Sequence, residues 1–325
     1  MDVLVTGGCG YVGSVLVPQL LDDDRVDRVV VLDNLSNGSP RTLFGTGLGA
    51  GSADSGDGAD LEFQRGDVRE YGDVETAARG VDTIIHLAAI TGASSTHERR
   101  DETLAVNADG TDHVATAAGK HDVDTLVFAS SCNNYGRAAT TDIDETTEPD
   151  PLNPYAESKQ RGEAIIANAA DEHGFDATAL RMSTNYGAAP GVRFNLVVNT
   201  FVFRALTDRP LTVYGDGSNW RPFIHVRDAA GAFKHAALNP DAWPQAVYNV
   251  GDGDENYQIS EVAELIRDEL NTDLEVTYLR DKNPGPSYHV NFDRVAETGY
   301  SLDYTLAEGV RELAERFESR ERRET

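Results

Sequence analysis

The chain has 325 residues, of which 55 are acidic and 28 basic, and a formal net charge of −27. So negative a field repels nucleic-acid phosphates and anionic membrane surfaces, and no apolar run approaches the ~20 residues that a bilayer-spanning helix needs. Hydrophobic content of 40% and charged content of 26% are those of a globular protein, long enough for one large or two ordinary domains.

The basic residues are 24 arginines and only four lysines. Acids dispersed among apolar segments, with little lysine, resemble proteins of salt-loving archaea, where multimolar salt shortens the Debye length to about 3 Å or less. The chain runs from Met1 and Asp2 straight into "VLVTGG" with no basic leader, and its two cysteines, Cys9 and Cys132, lie in separate motifs. A reducing cytoplasm is therefore expected.

In chain order, "DVLVTGG" is an apolar strand ending in glycines, "YVGSVLVPQLLDD" the helix after it, and "VDRVVVLDN" a second strand. Residues 36–60 are rich in Gly, Ser and Asp, and most of them read as an exposed loop. "LEFQRGDV" is a third strand, "YGDVETAARG" a short helix and "VDTIIHLAA" a fourth strand. A helix through "ETLAVNADGTDHVATAAGKH" leads to the strand "VDTLVFASS"; a long helix from "NPYAESK" and a strand "FDATALRMS" follow. This alternation predicts an α/β fold of Rossmann type, a doubly wound parallel sheet with helices on both faces. After Gly187 the pattern loosens into a smaller mixed α/β portion. The expected division is 1–181, with returns to the main sheet within 223–251, for the dinucleotide-binding domain, and 182–222 plus 252–325 for the substrate domain.

"TGGCGYVG" places Gly7, Gly10 and Gly13 between a strand and a helix, where a backbone without side chains can approach a pyrophosphate resting on the helix N-terminus. Asp33 closes the second strand 20 residues after Gly13, positioned for the adenosine ribose hydroxyls. That acid would repel a 2′-phosphate and no arginine follows it at once, so NAD is favoured over NADP. Asp67, ending the third strand, is expected to meet the adenine.

Tyr155 and Lys159 lie four apart on the long helix, with Cβ atoms roughly 5–6 Å apart on one face. An ammonium near a phenol, whose unperturbed pKa is about 10, favours the phenolate and suits it to acid/base work. From this heptad alone, a packed tyrosine and a solvated lysine remain the plainer reading.

Ten motifs in order resemble the extended short-chain dehydrogenase/reductases, specifically the NAD-dependent epimerase/dehydratase group acting on sugar nucleotides. They are "TGGCGYVG", "DNLSNG", "GDV", "HLAA", "NADGT", "ASSCNNYG", "YAESK", "RMSTNYG", "YGDGSNWRPFIHVRDAA" and "YNVG", spread over nearly the whole chain. The resemblance implies NAD as cofactor, no metal, a homodimer built from the Asn107 and Tyr155 helices, and a sugar-nucleotide substrate. It makes Tyr155 the acid/base and Lys159 the residue that lowers its pKa and holds the nicotinamide ribose. Ser131, four residues before Tyr135, orients the substrate hydroxyl, with Ser130 the neighbouring candidate. It adds Tyr11, Val12, Asn34, Val68, Leu87, Ala88, Ala89 and Asn107 to the cofactor set. Asn185 and Arg221 then belong to the substrate phosphates, and Asn195 and Leu196 to the base.

Three departures stand out. Cys132, Asn133 and Asn134 follow the serine where dehydratases carry an Asp-Glu pair, which disfavours 4,6-dehydration. "PGPSYHVNFD" at 284–293 puts Tyr288 and His289 where sugar-nucleotide epimerases place an arginine. Thr91 and Ser94 stand where some 4-epimerases carry a basic residue. The expected activity is C4 epimerisation of a UDP- or dTDP-linked hexose or uronate through a transient ketone. A dehydrogenase or keto-reductase that releases its cofactor is the alternative, and a non-catalytic NAD(H)-binding protein a third.

Overall fold

Strands β1 (Asp2–Thr6), β2 (Arg28–Asp33), β3 (Asp60–Arg65), β4 (Thr83–His86) and β5 (Thr125–Ser131) alternate with helices α1 (Gly13–Leu21), α2 (Tyr71–Ala77), α3 (Arg100–Leu104) and α4 (Gly110–Lys120). Next come β6 (Arg137–Ile143), α5 (Pro154–His173), β7 (Asp176–Met182), β8 (Thr184–Tyr186), α6 (Val197–Leu206), β9 (Leu211–Tyr214), β10 (Trp220–His225), α7 (Val226–Leu238) and β11 (Val247–Val250). The last are β12 (Asn256–Gln258), α8 (Ile259–Glu269), β13 (Val276–Leu279), β14 (Ser287–Val290), α9 (Asp293–Ala296) and α10 (Leu306–Glu321). The structure, a computed structural model, describes residues 1–43, 59–92, 95–191 and 193–321, except the side chains of 138–141 and 319–321. Most of the loop expected over 36–60, and Ser94, lie outside the described residues.

Seven strands form one parallel sheet in the order β11-β7-β5-β4-β1-β2-β3. Alternate residues of each strand enter opposite layers. Val3, Val5, Val29 and Val31 pack with Leu16, Val17 and Leu20 of α1 and with Ala229 and Phe233 of α7. Leu4, Val30, Leu32 and Ile84 pack with Val74 of α2, Val114 and Ala117 of α4 and Ile166 of α5. Both faces are covered, which is why these strands are nearly unbroken apolar runs. Each such side chain contributes about 1.5–3 kcal/mol by leaving water, and Leu4→Ala would cost ~2–5 kcal/mol.

Strand order reverses between β1 and β4: chain leaving β1 goes one way to β2 and β3, chain leaving β4 the other. The loops after these two strands therefore diverge and open a crevice at their C-terminal ends. Thr6 pairs in register with both Leu32 and His86, so β1, β2 and β4 end level on its rim.

Strand β10 departs from expectation. It pairs with β8 and β12 in a separate three-stranded sheet, and only α7 and β11 rejoin the main body. Helices α6, α8 and α10 enclose a third apolar cluster around Val198, Val202, Val262, Ile266, Val310 and Leu313, over the β9–β13 pair. No helix among the described residues is long and apolar enough to cross a membrane.

Candidate active site

The loop after β1 reverses because Gly7 has φ +71°, and a Cβ there would lie 2.8 Å from the Ala88 backbone. Dihedral and contact both exclude a side chain. Helix α1 then begins with no side-chain cap and no acid in its first turn. Its positive dipole end, next to Gly10, Tyr11, Val12 and Gly13, suits an anionic ligand.

Asp33 accepts the Cys9 N–H on Oδ2 at 3.0 Å and the Leu35 N–H on Oδ1 at 2.7 Å. The carboxylate is fixed, yet each oxygen keeps an acceptor position for a ribose hydroxyl. Asp67 is different. Its Oδ1 accepts from Arg69 N and Nε, both at 3.0 Å, and its Oδ2 from Arg69 Nη2 at 2.7 Å and Asn34 Nδ2 at 3.0 Å. The Arg69 guanidinium holds this carboxyl well below the usual range. With its lone pairs so occupied, Asp67 orients Asn34 and Arg69, and the expected hydrogen bond from adenine to its side chain has no acceptor left. Val68 beside it is buried, its carbonyl accepting from His113 at 2.9 Å.

A relay of hydrogen bonds braces the loop after β4. Ala88 N–H donates to Thr6 Oγ1 at 3.2 Å, Thr6 Oγ1 meets His86 Nδ1 at 2.6 Å, His86 Nε2 meets Thr111 Oγ1 at 3.0 Å, and Thr111 donates to Asn107 O at 2.5 Å. With Thr6 receiving from Ala88 and Thr111 giving to Asn107, the relay is satisfied when the imidazole proton sits on Nε2. Burial pushes the pKa of His86 down to about 3, with Lys159 adding to the effect, so the ring is neutral. Leu87 and Ala88 are thereby held against Gly7, with Ala89 next in the loop.

Asn107 lies on a π turn, Ala105–Asp109, that interrupts the α3–α4 run. Such turns recur at functional sites because they re-aim a side chain. Its Oδ1 accepts Ile90 N–H at 2.7 Å, while Nδ2 donates to Ile90 O and to Ser158 Oγ, both at 2.9 Å. Ser158 in turn donates to Tyr155 O at 2.7 Å. One amide thus ties the β4 loop to α5.

Helix α5 starts where Asn153 Oδ1 caps the Ala156 N–H at 2.9 Å and Pro154 occupies the first turn. This cap sets Tyr155 at the mouth of the crevice. The Ser131 hydroxyl accepts Asn133 N–H at 3.2 Å and lies close enough to the Tyr155 phenol to favour its ionised form. Ser130 faces the other way, donating to the Glu163 carboxylate and accepting from Asn134 Nδ2 at 3.2 Å. Of the two serines, Ser131 is the one turned toward Tyr155.

Lys159 is not solvated. It is 2% exposed, with Nζ 4.8 Å from the Phe128 ring centroid and 5.9 Å from that of Tyr155. Burial pushes its pKa down to about 7, opposed by Glu163. Burial also raises the Tyr155 phenol; Ser131 and the charge of Arg193 pull it back. The Lys159 ammonium lies over the Phe128 and Tyr155 rings, and the Arg193 charge is a second cation that favours the phenolate.

Behind this pair, Arg181 Nε and Nη2 donate to Glu163 at 2.9 and 2.7 Å, and Arg181 Nη1 reaches Tyr135 Oη at 2.9 Å, which donates to Asn249 Oδ1 at 2.7 Å. The Cys132 thiol is fully buried, donates to Arg181 O at 3.1 Å, and is pushed far up by burial. It is a small core side chain, not a nucleophile.

Across the crevice, Asn185 donates through Nδ2 to Ser183 O at 3.1 Å, while its Oδ1 is buried with no protein partner. Arg221 stacks on Tyr288, Cζ 4.8 Å from the ring centroid, and donates to Trp220 O at 2.9 Å. Tyr288, 4% exposed, lies within electrostatic reach of Arg221 and Tyr155. Leu196 packs near Tyr11 and Val226. Asn195 is exposed and accepts from Arg193 Nε at 3.2 Å.

Residues 3–251 match the NAD dependent epimerase/dehydratase family. The chain belongs to it. A UDP-glucose 4-epimerase of Halalkalibacterium halodurans is 30% identical over 285 residues, 82% of this chain and 80% of that protein. Among solved structures, the UDP-N-acetylglucosamine 4-epimerase of Methanobrevibacter ruminantium M1, in complex with UDP-N-acetylmuramic acid, superposes with a TM-score of 0.85 at 26% identity, covering 98% of each chain. The dTDP-glucose 4,6-dehydratase of Streptomyces venezuelae, with NAD bound, gives 0.85 at 27% identity over 99% of this chain and 98% of that one.

In this family member the cofactor is NAD, and the crevice fits it: an uncapped helix start for the pyrophosphate, and Asp33 with acceptor positions to spare for the ribose. Sequence reading missed Arg193 and Glu163. Glu163 carried a signal, standing four residues beyond Lys159 on the same helix face. Arg193 carried none, since the stretch between Gly187 and Asn195 has no periodicity to say where it points.

Proposed function

We propose that this protein is an NAD-dependent sugar-nucleotide 4-epimerase. The observation that carries the reading is the cluster of the Ser131 hydroxyl, the Tyr155 phenol and the buried Lys159 on the rim where β1, β4 and β5 end. NAD supplies a hydride acceptor that can return what it takes. Tyr155 removes the proton of the C4 hydroxyl as the carbon is oxidised, Ser131 orients that oxygen, and Lys159 fixes the ribose side of the crevice. Turned over in the site, the resulting ketone regains its hydride on the opposite face and its proton from Tyr155, so the centre is inverted with no net oxidation.

Dehydration, known among relatives, needs an acid and a base near C5 and C6. The two positions after Ser131 hold Cys132, whose S–H is spent on Arg181 O, and Asn133, whose Oδ1 accepts from Asn153 at 2.9 Å. Neither can act as a carboxylic acid. A panel of sugar nucleotides with chromatographic resolution of epimers tests this: inverted product without NADH accumulation supports the epimerase, stoichiometric NADH indicates a dehydrogenase, and a 4-keto-6-deoxy product refutes the exclusion of dehydration.

A further inference from the structure

We propose that Tyr11, although it belongs to the glycine loop, is a positioning residue for the sugar nucleotide: its hydroxyl fixes Gly187 and, with Asn199, the turn at 193–196. The inference rests on the sugar-nucleotide reading above and assigns this side chain to the substrate rather than to the dinucleotide.

The Tyr11 ring needs no hydroxyl in order to pack. It is 8% exposed and shares an apolar cluster with Ala189, Val226 and Leu196, where a phenylalanine would serve as well. A buried phenol needs a partner, and this one finds it 176 residues away, donating to Gly187 O at 2.7 Å. Burial pushes its pKa up, so the proton stays on the oxygen. The same glycine is gripped from its other side. Gly187 N–H donates to Asn199 Oδ1 at 3.1 Å, and Asn199 Nδ2 donates to Arg193 O at 3.1 Å and to Tyr11 Oη at 3.4 Å. Asn199 is fully buried on α6. Gly187 itself has φ +110°, and a Cβ there would run into the His225 ring, so no other residue fits this clamp.

The clamp stands between the residues expected to hold the substrate. Asn185 lies two residues before Gly187, with its Oδ1 buried and unpartnered. Asn195 and Leu196 lie in the turn that the start of α6 secures, Thr200 Oγ1 donating to Leu196 O at 2.8 Å beside the Asn199 contact. The phenol's proton is spent on Gly187 and its oxygen faces Asn199, so what the side chain fixes is this stretch. A binding segment held ready in this way loses less freedom when its ligand arrives.

The test uses NAD-loaded wild type, Tyr11→Phe, Asn199→Ala and the double variant, with UDP and dTDP as calorimetric probes and a panel of their sugar conjugates as substrates. Tyr11→Phe should weaken nucleotide binding and raise KM by about 10-fold, within the range for a buried carbonyl left without its donor. Its kcat and its bound NAD should stay near wild type. The double variant should bind no worse than the weaker single one, because both changes open the same clamp. A lower melting temperature in Tyr11→Phe with nucleotide affinity unchanged would reduce the hydroxyl to a structural contact and overturn the proposal. Loss of bound NAD together with a fall in kcat would overturn it too, returning Tyr11 to the cofactor. Either result leaves the sugar-nucleotide reading intact. Wild type that binds neither nucleotide and turns over no sugar conjugate sinks that reading, and this inference with it.

Discussion

Lys159 lies over Phe128 with its ammonium 4.8 Å from the ring centroid, and Glu163, one turn further along α5, is the charge that opposes its neutralisation. With the lysine pKa near 7, the cation is present below that value and fades as pH rises through it. An activity that uses the cation therefore loses its alkaline limb there. Glu163→Gln removes the supporting charge and should move that limb to lower pH by about 1 unit, whereas Glu163→Asp should leave it near the wild-type position. Because the Arg181–Glu163 pair is buried, the Gln variant also loses about 3–5 kcal/mol of stability, so the profiles are recorded well below its melting temperature. A uniform loss of rate with an unmoved limb would reduce Glu163 to a packing partner of Arg181.

Tyr155→Phe deletes one hydroxyl at a site where the ring still packs. Turnover should fall about 10²–10⁴-fold, the range for a lost general acid/base, while the purified protein keeps its NAD. Ser131→Ala removes the hydroxyl beside the phenol and should cost less than the tyrosine change. Turnover of Tyr155→Phe within a few-fold of wild type would place the proton transfer on another group.

Much of this was legible in the chain because the parallel sheet leaves a strong imprint. Val3, Leu4 and Val5 must satisfy two apolar layers at once, so β1 is unmistakable, and the crevice follows from strand order. Asp33 could be placed because it closes a strand. Asp67 could not be judged the same way: its partner Arg69 lies two residues on, and only the loop conformation turns that guanidinium back onto it. The depth of Lys159 was equally hidden. A helix face at four-residue spacing says that Tyr155 and Lys159 are neighbours, but the Phe128 ring that covers the lysine comes from β5, 31 residues before it. For β10, the apolar pattern of "WRPFIH" suits either sheet, and pairing with β8 decided the matter.

Glu255 offers a test of stability away from the crevice. It is 7% exposed, accepts Leu306 N–H at 2.9 Å, and is pushed up to about 7 by burial, with Asp252, Asp254 and Glu308 adding to the rise. The folded state thus holds a proton that the unfolded chain releases near its ordinary value, so stability is full below that value and declines as pH rises through about 7. Glu255→Gln mimics the protonated form and keeps an oxygen for Leu306. Its melting temperature should match wild type near pH 4.5 and exceed it at pH 8, by an increment worth about 1–3 kcal/mol. Equal melting curves at both pH values would show that Glu255 ionises in the fold without penalty.

Asp33 bears on cofactor retention in a way that activity alone would not isolate. Its two oxygens already hold the Cys9 and Leu35 N–H groups, and the remaining acceptor positions are those offered to the ribose. Asp33→Asn converts one oxygen into a donor. It therefore sets N–H against the backbone N–H on one side and removes the charge that strengthens each remaining bond. NAD affinity should fall by about 10–100-fold, the range for losing hydrogen bonds to a charged group, and the purified variant should emerge from gel filtration with little bound NAD while wild type retains its own. Circular dichroism separates this from unfolding, because a folded variant that has lost NAD carries the expected defect in the ribose contact alone. If Asp33→Asn holds NAD as tightly as wild type, the ribose is gripped elsewhere and the preference for NAD over a 2′-phosphorylated cofactor needs another cause.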